Sequence, residues 1–341
     1  MKPLNTVVVG YGMATRFYHA PITASTEGLH LYGIATSSPE KQTEIEQTYG
    51  CKAFAGLEAA LADPAVDLIV LSTPNSTHAE MAVAALEAGK HVVAEKVMCL
   101  NLDECDRMIA AANKSGKLLS VFQNRRWDGD YLTVKKLLDA GTLGDVRWIE
   151  MAWQRWDPPK GWRAEAGLGG GRFYDLGAHL LDQLLLLFPQ DIESVYCRMH
   201  HDFPGLDVDS HVLITVTFVD GCTGVIDLTS VSAIEKPRFY LFGNKATFIK
   251  HGLDPQDNAA RTDGIDTAIV EDEAYYGYMF DGETKTVIPT IQGRWRDYYE
   301  NVADVLLNGA ESAVKLDEAR RVIAVLEAAL QSVREGVVVR L

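Results

Sequence analysis

A histidine and two aspartates stand at helical spacing in one leucine-rich segment. Asp175, His179 and Asp182 lie at positions i, i+4 and i+7, which predicts a shared face of a helix running from Asp175 to Phe188. A histidine oriented by a carboxylate suits proton transfer near neutral pH, as oxidation of an alcohol by hydride loss requires. Two alternatives stay open. One is an N-cap aspartate with a structural histidine, and the other is a divalent-metal site, which lacks a further ligand cluster in the sequence.

Further chemically capable residues follow two predicted strands. Lys96 comes after His91–Ala94, and Thr73-Pro74-Asn75 leaves the preceding strand, with His78 one turn into the next helix. Ligands bind open parallel sheets at the carboxyl ends of the strands, so Lys96 could hold a substrate hydroxyl and favour loss of its proton. The alternative for Lys96 is a solvated ion pair, for example with its neighbour Glu95.

A glycine turn directly follows the first apolar run. Val7-Val8-Val9 leads into Gly10-Tyr11-Gly12-Met13-Ala14-Thr15, with Thr15 where a third glycine would stand. Such a strand, turn and helix let backbone N–H groups hold a pyrophosphate. Leu29–Ala35 lies where the next strand of a βαβ unit is expected. The pattern predicts a dinucleotide site, and a glycine turn in some other α/β protein is the alternative.

The residues after the second strand bear on which dinucleotide binds. NAD is usually held by an acidic residue about 20 residues beyond the glycines, but this chain has Thr36-Ser37-Ser38-Pro39-Glu40-Lys41. The hydroxyls of Ser37 and Ser38 and the ammonium of Lys41 can receive a 2′-phosphate. The sequence therefore favours NADP, with NAD possible. Ser38 before Pro39 is also ordinary N-cap chemistry, and both interpretations can hold together.

The remaining sequence pattern predicts two α/β domains that would position these residues. Alternating strand and helix patterns in residues 1–122 predict an N-terminal Rossmann domain with a doubly wound parallel sheet. Residues 123–341 predict a C-terminal α/β domain with an open, largely antiparallel sheet. We expect residues 253–292 to be irregular. Two helices, Trp295–Asn308 and Asp317–Glu335, should end the chain, where they could pack back on the first domain.

Composition excludes several classes of protein. The 341 residues can form two cores, and 47% hydrophobic with 23% charged residues is typical of a soluble globular protein. A net charge of −15, from 32 basic and 47 acidic residues, disfavours nucleic acid and anionic membranes as partners. The sequence has neither an apolar run of about 18 residues nor a signal-peptide pattern, so we expect a cytoplasmic protein. Five scattered cysteines indicate reduced thiols rather than disulfides or zinc.

Several of these segments occur in the order found in the Gfo/Idh/MocA oxidoreductases, which the chain resembles over essentially its whole length. They are the glycine loop with His19-Ala20-Pro21, Thr73–His78, Glu95-Lys96 and Asp175–His179. Phe122–Asp128, Tyr174–Gln183 and Phe248–Asp254 resemble the subgroup that contains NADP-dependent scyllo-inositol dehydrogenases. The resemblance implies a Rossmann domain, an α/β domain and an active site in the cleft between them. It also implies a homodimer or homotetramer through the open sheet.

The resemblance also implies roles for single residues. Lys96 would bind the substrate hydroxyl and relay its proton, Asp175 would orient the substrate, and His179 would be the general acid/base. The implied cofactor contacts are Gly10, Gly12 and Met13 at the pyrophosphate; Ser37, Ser38 and Lys41 at the 2′-phosphate; Thr73, Pro74, Asn75, His78 and Glu95 at the nicotinamide half; and Trp162 and Arg163 from a more variable loop.

The implied activity is hydride transfer between NADP and a hydroxyl carbon of a cyclic polyol or sugar. Among these substrates, the resemblance favours an inositol. From the residues themselves, which show no further ligand cluster, we expect no metal. One alternative is a non-catalytic dinucleotide-binding sensor on the same fold, and a more distant one is a glycosidase that retains NAD.

One residue departs from the family pattern. Val97 stands where the family has the proline of Glu-Lys-Pro, whose peptide bond is commonly cis. Either the Lys96–Val97 bond keeps that geometry, or the loop runs trans and Lys96 moves, which could lower activity or change the substrate.

Overall fold

The structure, a computed structural model, describes residues 2–262, 264–265 and 270–341. The chain divides into two compact units. Among the described residues, the first unit contains 2–124, 256–262, 264–265 and 294–320, and the second contains 125–255, 270–293 and 321–341.

The first unit is built on a six-stranded sheet. Its strands are β1 (Leu4–Val9), β2 (Leu29–Ala35), β3 (Lys52–Phe54), β4 (Leu68–Leu71), β5 (His91–Ala94) and β6 (Leu119–Val121). All neighbours pair in parallel, in the order β3-β2-β1-β4-β5-β6. Every residue of β4 is buried, as expected for a parallel sheet covered on both faces. The predicted doubly wound parallel sheet is thereby confirmed.

The second unit is built on a nine-stranded sheet. Its strands are β7 (Val146–Gln154), β8 (Ile192–His200), β9 (His211–Phe218), β10 (Thr223–Thr229), β11 (Phe239–Gly243), β12 (Thr247–Lys250), β13 (Gly277–Phe280), β14 (Lys285–Ile288) and β15 (Val339–Arg340). The order is β14-β13-β12-β11-β7-β10-β9-β8-β15. Strands β7 and β10 pair in parallel, and the other neighbouring pairs are antiparallel. The prediction of a largely antiparallel sheet is confirmed.

The helices complete both units. In chain order they are α1 (Ala20–Ser25), α2 (Pro39–Tyr49), α3 (Leu57–Leu61), α4 (His78–Glu87), α5 (Leu102–Ser115), α6 (Gly129–Asp139), α7 (Ala178–Leu187), α8 (Gln256–Thr262), α9 (Arg296–Asn308) and α10 (Leu316–Glu335). A π-helical turn precedes α1 at Thr15–His19, and another precedes α7 at Phe173–Gly177. The single regular helix expected from Asp175 to Phe188 therefore begins as a π-helical turn.

The prediction of an irregular segment from 253 to 292 is wrong for much of that range. Helix α8 and the hairpin of β13 and β14 lie within it. These elements are four to seven residues long, and β14 is mostly exposed, so they lack the hydrophobic periodicity that identifies longer elements. Pairing of β13 with β12 provides the stabilisation that the local sequence does not show.

One face of the nine-stranded sheet is buried and the other is more open. Along β9 the buried positions alternate with half-buried ones, at Leu213, Thr215 and Thr217. On the neighbouring strand β8, Tyr196 and Arg198 are exposed. This is the pattern of a sheet packed on one face only. The more open face is called the open face below.

Gly10 is required where β1 ends against β4. Its φ is +100°, and a Cβ there would lie 2.2 Å from the Ser72 carbonyl oxygen. Gly12 has no such φ, and a Cβ there would meet nothing within 4 Å. We expect Gly10→Ala to lower the free energy of unfolding by about 1–3 kcal/mol because of backbone strain and the clash. Urea denaturation followed by fluorescence measures this, with Gly12→Ala as the matched control. Equal stability of the two variants would contradict this role for Gly10.

Candidate functional site

The predicted cofactor residues of the first unit follow the carboxyl ends of its parallel strands. Gly10 follows β1, Ser37 follows β2, Thr73 follows β4 and Glu95 follows β5. Because all these strands run in the same direction, the four segments share one edge of the sheet. Such an edge is where nucleotides bind doubly wound sheets.

The glycine loop leaves room for a phosphate group at its surface. Gly12 faces open space and Met13 is 38% exposed. Thr15, in place of the third glycine, is fully buried, and its hydroxyl donates a hydrogen bond of 2.8 Å to the Gly10 carbonyl. Thr15 therefore stabilises the loop from its buried side and leaves its exposed side open. The loop fits the pyrophosphate of a dinucleotide.

The segment after β2 combines a helix cap with exposed polar groups. Ser38 is the N-cap of α2, and its hydroxyl accepts a hydrogen bond of 3.4 Å from the Lys41 N–H. The N-cap interpretation is thus confirmed. Ser37 and Lys41 are exposed. Their predicted contact with a 2′-phosphate is compatible with this geometry and stays a prediction.

The loop after β4 is held by His78, which lies beneath it. Its Nδ1 lies 2.8 Å from the Val97 carbonyl oxygen, and its Nε2 lies 3.0 Å from that of Thr73. Burial lowers the pKa of His78. The ring has no exposed surface, so in this structure it joins two backbone segments rather than lining a ligand surface as the resemblance implies. Asn75 is also buried, whereas Thr73 and Pro74 are partly exposed.

Lys96 stands on a loop whose backbone is fixed by Glu95. The Lys96–Val97 peptide bond is cis, the first of the two alternatives that Val97 left open. The Lys96 N–H donates to Glu95 Oε2 at 2.8 Å, and Glu95 Oε1 lies 2.9 Å from His19 Nε2. Burial favours a raised pKa for Glu95, but the hydrogen bond with His19 and the charge of Lys96 outweigh it, so the pKa lies below its usual value.

In the second unit, two guanidinium groups hold Asp175. Arg163 Nε lies 3.1 Å from Oδ1, and Arg172 Nη1 lies 3.5 Å from Oδ2. Arg163 also stacks on Trp162, with its guanidinium carbon 4.5 Å from the ring centroid. The structure thus joins the Trp162–Arg163 pair to Asp175. The implied contact of that pair with the cofactor stays a prediction.

His179 and Asp182 lie on α7 in different settings. His179 is 6% exposed. The Asp182 carboxylate is bidentate to Arg126, at 2.9 and 2.7 Å. The π-helical turn that contains Asp175 also departs from the 3.6-residue period, so the face expected for all three residues is not that of a regular helix. Asp182 therefore anchors the helix that carries His179.

The next residue of α7 is also anchored. Gln183 donates a hydrogen bond of 2.6 Å to the Arg125 carbonyl and accepts one of 2.8 Å from Arg238. Arg238 is fully buried, with its Nε 3.3 Å from Asp130 Oδ2. The direct partners of Gln183 thus come from the segment before α6 and from the residue before β11, and Arg238 is held in turn by α6, so these parts of the second unit fix the rotation of α7.

Sequence reasoning missed these anchors and the contact of His19 with Glu95. The basic and acidic residues of Asn124–Asp130 were one available signal, since several buried charges in one short segment require counter-charges. Their partners lie 56 residues away in the case of Arg126 and Asp182, so spacing could not identify them.

The described part of the chain contains neither a metal-ligand cluster nor a membrane-spanning helix. Within residues 2–262, 264–265 and 270–341, we find no group of three histidine, cysteine, aspartate or glutamate side chains that could hold a metal ion. Among the helices of those same residues, none has the length and apolar character needed to span a bilayer. All five cysteines are free thiols.

The anchoring of α7 can be tested by neutralising one carboxylate. Asp182→Asn leaves the Arg126 guanidinium buried without its counter-charge. We expect the free energy of unfolding to fall by about 3–5 kcal/mol, measured by urea denaturation. Asp139→Asn is the matched control, since Asp139 forms an exposed pair with Lys135 and its loss should change little. Equal effects of the two substitutions would show that Asp182 does not anchor the helix.

The chain is similar to two known domain families and to several known proteins. Residues 4–123 match the oxidoreductase family with an NAD-binding Rossmann fold, and residues 131–249 match the GFO/IDH/MocA C-terminal domain. The uncharacterized oxidoreductase YdgJ of Escherichia coli is 32% identical, with 96% of this chain and 95% of YdgJ aligned. The scyllo-inositol 2-dehydrogenase (NADP(+)) IolW of Bacillus subtilis is 31% identical, with 96% and 93% aligned.

A solved structure shows the same fold. The crystal structure of a protein from Klebsiella pneumoniae classed as an oxidoreductase is 32% identical and has a TM-score of 0.89, covering 99% of this chain and 95% of its own. Both domain matches and the full-length relatives lead to one conclusion. The chain belongs to the Gfo/Idh/MocA oxidoreductase family and has its NAD-binding Rossmann fold.

Proposed function

We propose that this protein is an NADP-dependent dehydrogenase that acts on a hydroxyl group of a cyclic polyol or sugar. Within that class, the substrate we propose first is scyllo-inositol. The observation that carries the proposal is the held carboxylate of Asp175, which stands one turn before the buried His179. A carboxylate fixed by two guanidinium groups can orient a neutral polyol by accepting hydrogen bonds from its hydroxyls.

Each proposed catalytic group has a separate task. The nicotinamide, when bound, supplies the hydride acceptor or donor. Lys96 binds the substrate hydroxyl through its ammonium group and favours loss of the hydroxyl proton. His179 takes that proton in oxidation and returns it in reduction, as general base and general acid. Asp175 fixes which hydroxyl is presented.

The preference for NADP is supported by the residues after β2. Ser37 and Lys41 are exposed there, and the strand tip carries no carboxylate that would repel a 2′-phosphate. The relative IolW is named as an NADP(+) enzyme. We propose that Gly10, Gly12 and Met13 meet the pyrophosphate, and that Thr73, Pro74 and Glu95 lie toward the nicotinamide half.

We also propose a cytoplasmic homo-oligomer that assembles through the open face. Trp148 of β7 and Phe242 of β11 stack there at 6.3 Å, and both are only half-buried, as is Tyr240. Apolar side chains of this size on an open sheet suit contact with a second copy. The net charge of −15 disfavours nucleic acid and anionic membranes as partners.

The first experiment is a fluorescence titration with NADP(H) and NAD(H), followed by absorbance at the nicotinamide band during addition of a polyol panel that includes scyllo- and myo-inositol. Binding of NADP with turnover on an inositol supports the proposal. Nucleotide binding without turnover on any polyol or sugar favours the non-catalytic sensor. Nucleotide that remains bound through purification favours the NAD-retaining glycosidase.

The role of His179 predicts a loss of turnover. His179→Ala should lower kcat by roughly 10²–10⁴ because the general acid/base is removed, while leaving the affinity for NADP unchanged. His251, an exposed histidine of the second unit, is the control position, and His251→Ala should keep kcat. Turnover of His179→Ala equal to that of the parent protein would exclude this role.

The role of Lys41 predicts a change in nucleotide preference. Lys41→Glu replaces an exposed cation with an anion and should weaken NADPH binding by about tenfold or more through repulsion of the 2′-phosphate. Binding of NADH, which lacks that phosphate, should change less than about threefold. Titration of both nucleotides measures the ratio, and Lys135→Glu, at an exposed position on α6, controls for net charge. An unchanged ratio would remove Lys41 from the site.

A further inference from the structure

We propose that His19 is a positioning residue for Lys96, and that it acts through the carboxylate of Glu95. This inference rests on the proposed function of Lys96 as the substrate-hydroxyl ligand. Nothing in the resemblance assigns a role to His19, which appears there only as part of a sequence motif.

The Glu95 carboxylate bridges a histidine and the backbone of the lysine. Oε1 lies 2.9 Å from His19 Nε2, and Oε2 accepts the Lys96 N–H at 2.8 Å. Both oxygens of the rigid Glu95 carboxylate are thus hydrogen-bonded, so the orientation of the carboxylate and the direction of the Lys96 backbone are linked. Moving His19 Nε2 would turn the carboxylate and release the Lys96 N–H.

The far side of the His19 ring is fixed as well. Nδ1 lies 2.8 Å from the Tyr299 hydroxyl of α9. Burial raises the pKa of Tyr299 well above its usual value, so the phenol keeps its proton. An ionised carboxylate only accepts hydrogen bonds, so Nε2 carries the hydrogen toward Glu95. His19 therefore links the Tyr299 hydroxyl to the Glu95 carboxylate through its two ring nitrogens.

The packing leaves this chain of contacts little freedom. The side chain of His19 is 0% exposed and that of Glu95 is 13% exposed. The His19 ring also packs on Phe122, at 4.6 Å between centroids. The loop is held from its other side by His78, through the carbonyl of Val97. Lys96 is therefore flanked by two histidines, one acting through Glu95 and one on Val97.

Two substitutions at position 19 separate positioning from simple packing. The amide nitrogen of glutamine can occupy the place of Nε2 and donate to Glu95, whereas that of asparagine reaches only the place of Nδ1, near Tyr299. We expect His19→Gln to keep kcat within about threefold and His19→Asn to lower it about 10–100-fold, since small misplacements of a reacting group are costly. The dissociation constant for NADPH should stay within about threefold for both.

A second pair of variants tests the outer contact. Tyr299→Phe removes the hydroxyl that faces His19. Tyr298→Phe is the matched control, because Tyr298 is an equally buried neighbour whose hydroxyl faces Ser120 at 2.9 Å instead. We expect Tyr299→Phe to lower kcat more than Tyr298→Phe at similar thermal stability.

Hydrogen exchange measured by mass spectrometry gives a readout that does not depend on turnover. The peptide that contains Glu95–Met98 should exchange faster in His19→Asn and Tyr299→Phe than in the parent protein, His19→Gln or Tyr298→Phe. If the parent protein turns over no polyol, the proposed function fails, and the exchange rates still decide whether His19 holds the loop. Equal exchange and equal kcat in His19→Asn and His19→Gln would overturn the inference.

Discussion

A buried charge must be compensated by hydrogen bonds or by an opposite charge, and both units place their candidate catalytic residues beside groups compensated in this way. In the first unit, Glu95 meets His19 next to Lys96. In the second, Asp182 meets Arg126 one turn after His179. Removal of one partner from such a pair leaves an uncompensated charge in a medium of low dielectric constant. The two partners of each pair can therefore adopt few geometries, and this also limits the positions of the residues next to them in the chain.

The scaffold could be predicted because its signals are local. Four or more consecutive apolar residues, as in Leu68–Leu71, indicate a strand buried on both faces, and alternation with helices requires parallel pairing. Gly10 and Gly12 mark the turn because one needs a positive φ and the other leaves open space. Segments such as Lys52–Phe54 and Lys285–Ile288 gave no comparable signal, since each begins with an exposed lysine, has few buried residues and depends on pairing with its neighbour.

The candidate site could be predicted as a set of residues but not as a set of contacts. Lys96 and His179 were identified from the strand end or helix on which they stand. Their supports come from distant parts of the chain: His19 is separated by 76 residues from Glu95 and by 280 from Tyr299. No periodicity reports contacts at such separations. The π-helical turn at Phe173–Gly177 could not be predicted either, because such a turn has no distinctive residue composition.

The pattern of buried polar groups also bears on whether the protein is an enzyme or a sensor. Binding of a dinucleotide relies on backbone geometry at the glycine loop and on surface residues such as Lys41, none of which requires a buried charge. Fold alone does not decide between these functions. Burial of Glu95, Asp182 and Arg126 carries a desolvation cost that apolar residues of similar size would avoid. These groups support Lys96 and the helix of His179, and nucleotide binding alone does not use such support, so their presence favours the proposed dehydrogenase.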